Sequence, residues 1–306
     1  MNKLFKTCIA TAIIASSSVA MASNVYINLA NNSYDTNRFI GSADADTATG
    51  QFTELGFSQL WATSIYDLNP DMSLAGTVTD TNITADLAAA GIPGGPYNSI
   101  DGSTSSSLVS PDCALGQCDI DALSPLVPPL GTDNEGFLQT WDIQVEYSLT
   151  ANLTPAGPQY YTGYIEFFFN DLLNDANDRS IMLAEVTGSS IEAANLNIFF
   201  DIVSAELGFF FVEDDYGNFQ DAGQLALDAV TSDDYAKLNL DTNVDPDGDT
   251  PVIPTASDLF VTSSGQAARQ SGLDGSIAAS LVPEPSMLAL LGLSIIGFGV
   301  ASRRRK

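Results

Sequence analysis

"TWDIQVEYSLT", residues 140–150, alternates without a slip: Trp141, Ile143, Val145, Tyr147 and Leu149 fall on one phase, Asp142, Gln144, Glu146 and Ser148 on the other. An apolar period of two describes a half-buried strand of an antiparallel sheet, because successive side chains leave opposite faces. Working outward, "YYTGYIEFFFND" (160–171), "SIMLAEV" (180–186), "LNIFFDIVSAEL" (196–207) and "GFFFVEDD" (208–215) are further aromatic or β-branched runs. Upstream, "NVYINLA" (24–30), "GQFTELGFSQLWATSIYDL" (50–68) and "SLAGTVTDTNIT" (73–84) read the same way. Short helices are expected only in "ITADLAAAG" (83–91) and in parts of 220–239. Many strands separated by Asn, Asp and Gly turns predict an all-β fold, an antiparallel β-sandwich with long loops over residues 23–240.

Two stretches break this pattern. Residues 92–136, which include the Pro-rich "SPLVPPLG" (124–131), read as a long surface excursion. Residues 241–281, through "DTNVDPDGDTPVIPTASDLF" and "SSGQAARQSGLDGSIAAS", are polar and small, and their composition predicts a stalk.

Charge bounds the partners. The 306 residues carry a formal charge of −28, and all 38 acids except Glu284 lie between residues 23 and 282. The same stretch holds only four cations, Arg38, Arg179, Lys237 and Arg269. Nucleic-acid binding needs clustered cations to displace condensed counterions, so this composition excludes it. Histidine is absent altogether. That removes imidazole acid–base chemistry, Ser-His-Asp and Cys-His nucleophiles, and imidazole-dependent zinc sites. No motif names a catalytic pair, and the chain is expected not to be an enzyme.

Both ends read as addresses. Lys3 and Lys6, an apolar run around Ile9–Ile14, and Ala20-Met21-Ala22 make residues 1–22 a secretory signal peptide cleaved before Ser23. Export to an oxidising space then predicts a disulfide between Cys113 and Cys118 in "CALGQC", closing one short loop. At the other end, residues 286–302 are 17 consecutive uncharged residues. As a helix they span roughly 26 Å, close to a hydrocarbon core of about 30 Å. Arg303, Arg304, Arg305 and Lys306 follow and hold the inner side by the positive-inside rule. A single C-terminal membrane helix with an exported body is the expectation.

Within 241–281, "NVDPDGD" alternates oxygen ligands: Asn243, Asp245, Asp247 and Asp249 around Gly248. This resembles the first half of a calcium loop, but the twelfth position is Pro254 rather than a bidentate Glu. Calcium is the one cofactor the sequence raises; a solvated acidic turn is the alternative.

Pro283-Glu284-Pro285, then a Gly/Leu-rich helix, then Arg303–Lys306 at the very terminus, resembles the PEP-CTERM sorting signal of Gram-negative bacteria. The resemblance covers residues 282–306. It implies recognition by an exosortase, a membrane-embedded transpeptidase, with cleavage near Pro283, Glu284 and Pro285. The protein would be held at the inner membrane during sorting, then passed to the cell surface or extracellular matrix. Prolines flanking Glu284 forbid helix there and favour an extended strip that a protease can bind. "TGQFTELGFSQLWATSIYDLN" (49–69), "AGTVTDTNI" (75–83), "DIDALSPLVPP" (119–129) and "FLQTWDIQVEYSLT" (137–150) further resemble flocculation-associated PEP-CTERM proteins. That resemblance implies a non-enzymatic contribution to biofilm or floc through exopolysaccharide or cell–cell association. The alternatives are a secreted cation- or glycan-binding protein and a carbohydrate-active enzyme built on two carboxylates.

Overall fold

The structure is a computed structural model. It describes residues 22–31, 33–35, 46–69, 74–91, 97–98, 104–105, 119–120, 122–124, 133–192, 195–229, 236–243, 259–262 and 264–281. In chain order the elements are β1 (Val25–Ile27), β2 (Glu54–Leu68), β3 (Leu74–Thr81), α1 (Thr84–Ala89), β4 (Tyr97–Asn98), β5 (Thr104–Ser105), β6 (Asp119–Ile120) and β7 (Ala122–Ser124). There follow β8 (Trp141–Thr154), β9 (Gly157–Asp171), β10 (Arg179–Glu192), β11 (Asn195–Ala205), β12 (Phe210–Glu213), β13 (Phe219–Asp221), α2 (Ala222–Asp228), β14 (Ala236–Asn243), β15 (Phe260–Val261) and β16 (Ala267–Leu281). The chain is predominantly antiparallel β with few helices, as the alternation predicts.

The sheet closes on itself, and here the sandwich expectation is corrected. Strands β2, β3, β8, β9, β10, β11, β14 and β16 each pair antiparallel with the next in that order. β16 then pairs back onto β2, from Ala267 opposite Tyr66 to Ile277 opposite Leu55. The result is a hydrogen-bonded ring of eight strands in up-and-down order, a barrel rather than two stacked sheets. Closure leaves these strands without the unpaired edges a sandwich must protect.

The residues 267–281 assigned by composition to the stalk are this closing strand. β16 bonds β2 along most of its length and β14 from Gly275 to Leu281. Ala267, Ala268, Ile277 and Ala279 are buried in it. Ala267 lies inside the ring, whereas Ala268 lies outside, under Leu87 and Ala90 from the segment of α1 and beside Ile65. A strand covered on both faces at close quarters takes small side chains, which is why its composition mimics a linker. From the 92–136 excursion, β6 and β7 join the sheet by pairing β8 and β2.

The two ends of the barrel differ. Trp141, Phe137 and Phe169 fill one end, with Trp141 stacked on Phe169 at a 5.7 Å centroid distance. Trp141 Nε1 donates to the Glu135 carbonyl at 2.8 Å. Beside them Asp171, 2% exposed, accepts four hydrogen bonds: from the Tyr34 hydroxyl (2.8 Å), Asn177 Nδ2 (2.6 Å) and the backbone N–H of Leu173 (2.8 Å) and Asn174 (3.1 Å). Arg179 clamps Glu206 through two nitrogens, at 2.8 and 3.2 Å, with its guanidinium 4.5 Å from the Phe169 ring centroid. A small sheet of β1, β12 and β13, with Tyr26 stacked on Phe211, lies near this end through a bridge from Val25 to Phe52. Both termini of the described chain leave here as well: Ser23 N donates to the Ala279 carbonyl at 2.9 Å, and β16 ends at Leu281.

The Asp171 carboxyl illustrates a pH-dependent lock. Burial works against its ionisation, but the donors of Asn177, Tyr34, Leu173 and Asn174 outweigh burial and hold it below the usual carboxylate range. A depressed folded value contributes stability that is complete above the unfolded value of about 4, and lost as pH falls through the folded one. Asp171→Asn, which turns one acceptor into a donor facing Asn177, is expected to cost about 2–3 kcal/mol at pH 7 in chemical denaturation, with the gap to wild type narrowing at pH 3. A second expectation tests the closing strand. A chain ending at Leu281 should unfold in one cooperative transition by circular dichroism, whereas a chain ending at Val261 should show none.

Candidate functional site

Pairing fixes which residues face the inside. On β8 the buried phase is Trp141, Ile143, Val145, Tyr147, Leu149 and Ala151. Residues directly opposite across a ladder share a face. Asp80 on β3 is opposite Leu149, Ser64 on β2 is opposite Asp80, and Arg269 on β16 is opposite Ser64. One step toward the end away from the termini lie Ala267, Tyr66, Val78, Ala151 and Tyr160, again in register. A carboxylate, a hydroxyl, a guanidinium and phenols therefore converge within the barrel.

A glycine beside this group lets two strand backbones approach closely. Gly163, opposite Leu149, has φ +127°, and a Cβ there would run into the Ser148 carbonyl. A bulge just before it, between Tyr160 and Thr162 and opposite Thr150 and Ala151, resets β9 so that Tyr160 points inward and Tyr161, 51% exposed, points out. The Tyr160 hydroxyl donates to Asp80 Oδ2, and Ser64 hydrogen-bonds both Asp80 and Tyr66. Burial raises the Asp80 carboxyl above its ordinary range, against the opposing effects of Ser64, Tyr160 and Arg269. Burial, then the Asp80 charge, pushes the phenols of Tyr66, Tyr147 and Tyr160 upward as well. These tyrosines are buried, whereas Ser64, Asp80 and Arg269 are only half-buried, so solvent still reaches the charged pair.

On the outer wall α1 is tied down by Asp86, whose carboxylate accepts from Thr81 (3.0 Å) and Ser148 (2.7 Å). Asn82 extends the β3 ladder with its side chain, donating to the Val145 carbonyl (2.7 Å) and accepting from Tyr147 N (2.8 Å). These contacts hold β3, and with it Asp80, against β8.

Carboxylates of two acidic loops, 170–180 and 213–221, are consumed by internal hydrogen bonds. Asp171 of 170–180 is the four-donor acceptor described above. Asp214 of 213–221 accepts from the backbone of Asn218 and Tyr216 and from Gln220, and these donors hold its carboxyl below the usual range. A grouping that the sequence reading did not foresee joins Asp46, Asp133 and Glu135, whose carboxylate oxygens lie within 4.8 Å of one another. Its all-oxygen donor set suits a hard cation rather than zinc. Asp133 and Glu135 stand two residues apart in one loop, but Asp46 comes from a distant one, so spacing alone could not have revealed the group.

Of the predicted site residues, Ala22 is exposed coil and Asn243 ends β14 opposite Asn195. Ala20, Cys113, Cys118, Asp245, Asp247, Asp249, Pro283, Glu284, Pro285 and Arg303–Lys306 lie outside the described residues, as does the 286–302 segment. Among the described residues no helix is long and apolar enough to cross a membrane.

No curated protein and no solved structure matches the chain. Residues 281–306 match the family model of the PEP-CTERM protein-sorting motif. The match starts at Leu281, the last residue of β16, so the motif follows the closed barrel with no spacer. The chain therefore carries a PEP-CTERM sorting motif, which implies export and processing at the membrane by an exosortase.

Proposed function

We propose that the chain is a non-enzymatic surface or matrix protein, contributing to biofilm or floc formation by associating with exopolysaccharide or with neighbouring cells. The observation that carries this reading is the sorting motif joined directly to a closed antiparallel barrel. An exported body closed by hydrogen bonds suits a display role: ring closure removes sheet edges that would aggregate at the surface. The acid-rich outer composition supports neutral glycans or cationic groups over nucleic acid or anionic lipid as what it meets. The neighbours of Asp80 named above are phenols, a hydroxyl and a guanidinium, whereas glycoside hydrolysis uses a second carboxylate roughly 5–10 Å away.

Deleting residues 283–306 while leaving β16 intact tests the proposal. The truncated protein should leave the surface fraction and appear in a soluble exported fraction, and cell aggregation should fall with it. Unchanged aggregation in cells lacking the whole protein would end the matrix reading, while leaving its export untouched.

A further inference from the structure

We propose that the barrel interior around Asp80, Ser64, Arg269, Tyr66 and Tyr160 is a binding site for one neutral, hydroxyl-bearing ring, such as a hexose unit of a polysaccharide. This inference deepens the exopolysaccharide reading and gives it a site.

Placement is the first argument. All five residues face inward by register, on four different strands, so the group is assembled by barrel closure rather than by one loop. An eight-stranded barrel has an interior wide enough to be filled by side chains or to hold one small ligand. Here the aromatic end is filled completely, with Trp141, Phe137 and Phe169 at 0% exposure. The Asp80 region is not: Ser64, Asp80 and Arg269 keep part of their surface in contact with solvent.

Energetics is the second. An inward carboxylate and guanidinium cost desolvation, and apolar residues of similar volume would serve a merely structural core at least as well. Of the other body cations, Arg179 is committed to Glu206 and Phe169. Placing Arg269 inside, in a chain so poor in cations, sets a guanidinium among inward polar groups that solvent still reaches.

Chemistry selects the ligand. Asp80 accepts, Arg269 donates through several N–H groups, and the tyrosine hydroxyls do either, which matches adjacent hydroxyls on a sugar ring. A cation would be opposed by Arg269 and has abundant acids outside. An anion would be repelled by Asp80 and by a body of net charge −28. The two inner charges nearly cancel, and a neutral polyol is what remains. Both termini leave from the opposite, filled end, so a chain tethered there presents this end outward.

The test uses the processed protein recovered from cells, titrated calorimetrically with neutral gluco-, galacto- and manno-hexaoses and with their uronate counterparts. At least one neutral hexaose should bind, and more tightly than its uronate. Asp80→Asn and, separately, Arg269→Gln should weaken binding at least tenfold while the Tm moves by no more than a few degrees; Tyr160→Phe provides a third variant that keeps the ring. No binding at millimolar hexaose, or wild-type affinity in variants that remain folded, overturns the site. If the site fails but cells lacking the protein still lose aggregation, the matrix reading stands. If hexaose binding follows the variants but aggregation is indifferent to the protein, the site stands and the matrix reading falls.

Discussion

Everything in the body depends on β16 finding β2 across some 200 residues of chain, because that one ladder converts an open meander into a ring. Without it, β2 and β14 would each present an unpaired edge, and the inner faces of eight strands would lose their enclosure. The closing strand also delivers Arg269 opposite Ser64. Fold stability and the polar interior are thus products of the same set of hydrogen bonds. The internal cost is visible in the upward displacement of Asp80 by burial, which its three polar neighbours only partly offset.

The division of labour within the barrel follows from ordinary packing physics. Large aromatics cluster at the end where the chain enters and leaves, and there the Asp171 carboxylate is satisfied by four donors of the protein itself. That end can be rigid because nothing has to enter. The opposite half uses tyrosines, whose rings pack like apolar groups while their hydroxyls reach a partner. The same barrel therefore contains a dry core and a wetter polar half without a domain boundary between them.

Much of this was legible in the residues. The phase of 140–150 survives intact in β8, the runs from 160 to 207 become β9–β11, and "ITADLAAAG" forms α1. Periodicity reports which face a side chain takes, but not which strand lies beside it, and so the sandwich and the barrel were indistinguishable. β16 was missed because the pattern needs bulky side chains to be seen, whereas a strand covered on both sides uses Ala267, Ala268 and Ala279. Asp80 was invisible for a related reason: in "GTVTDT" a carboxylate on the Val78 phase looks like one more turn or surface residue. Only the pairing of Val78 with Ala151 and of Asp80 with Leu149 turns it inward.

The contact between Ser23 N and the Ala279 carbonyl has a bearing on maturation. If the leader expected from the sequence is cut after Ala22, that nitrogen changes from an ordinary amide to an ammonium held against the same oxygen. A charge-assisted bond is about twice as strong as its neutral counterpart. Such a cut at the front of the polypeptide would fasten its rear, cinching the seam just upstream of Pro283.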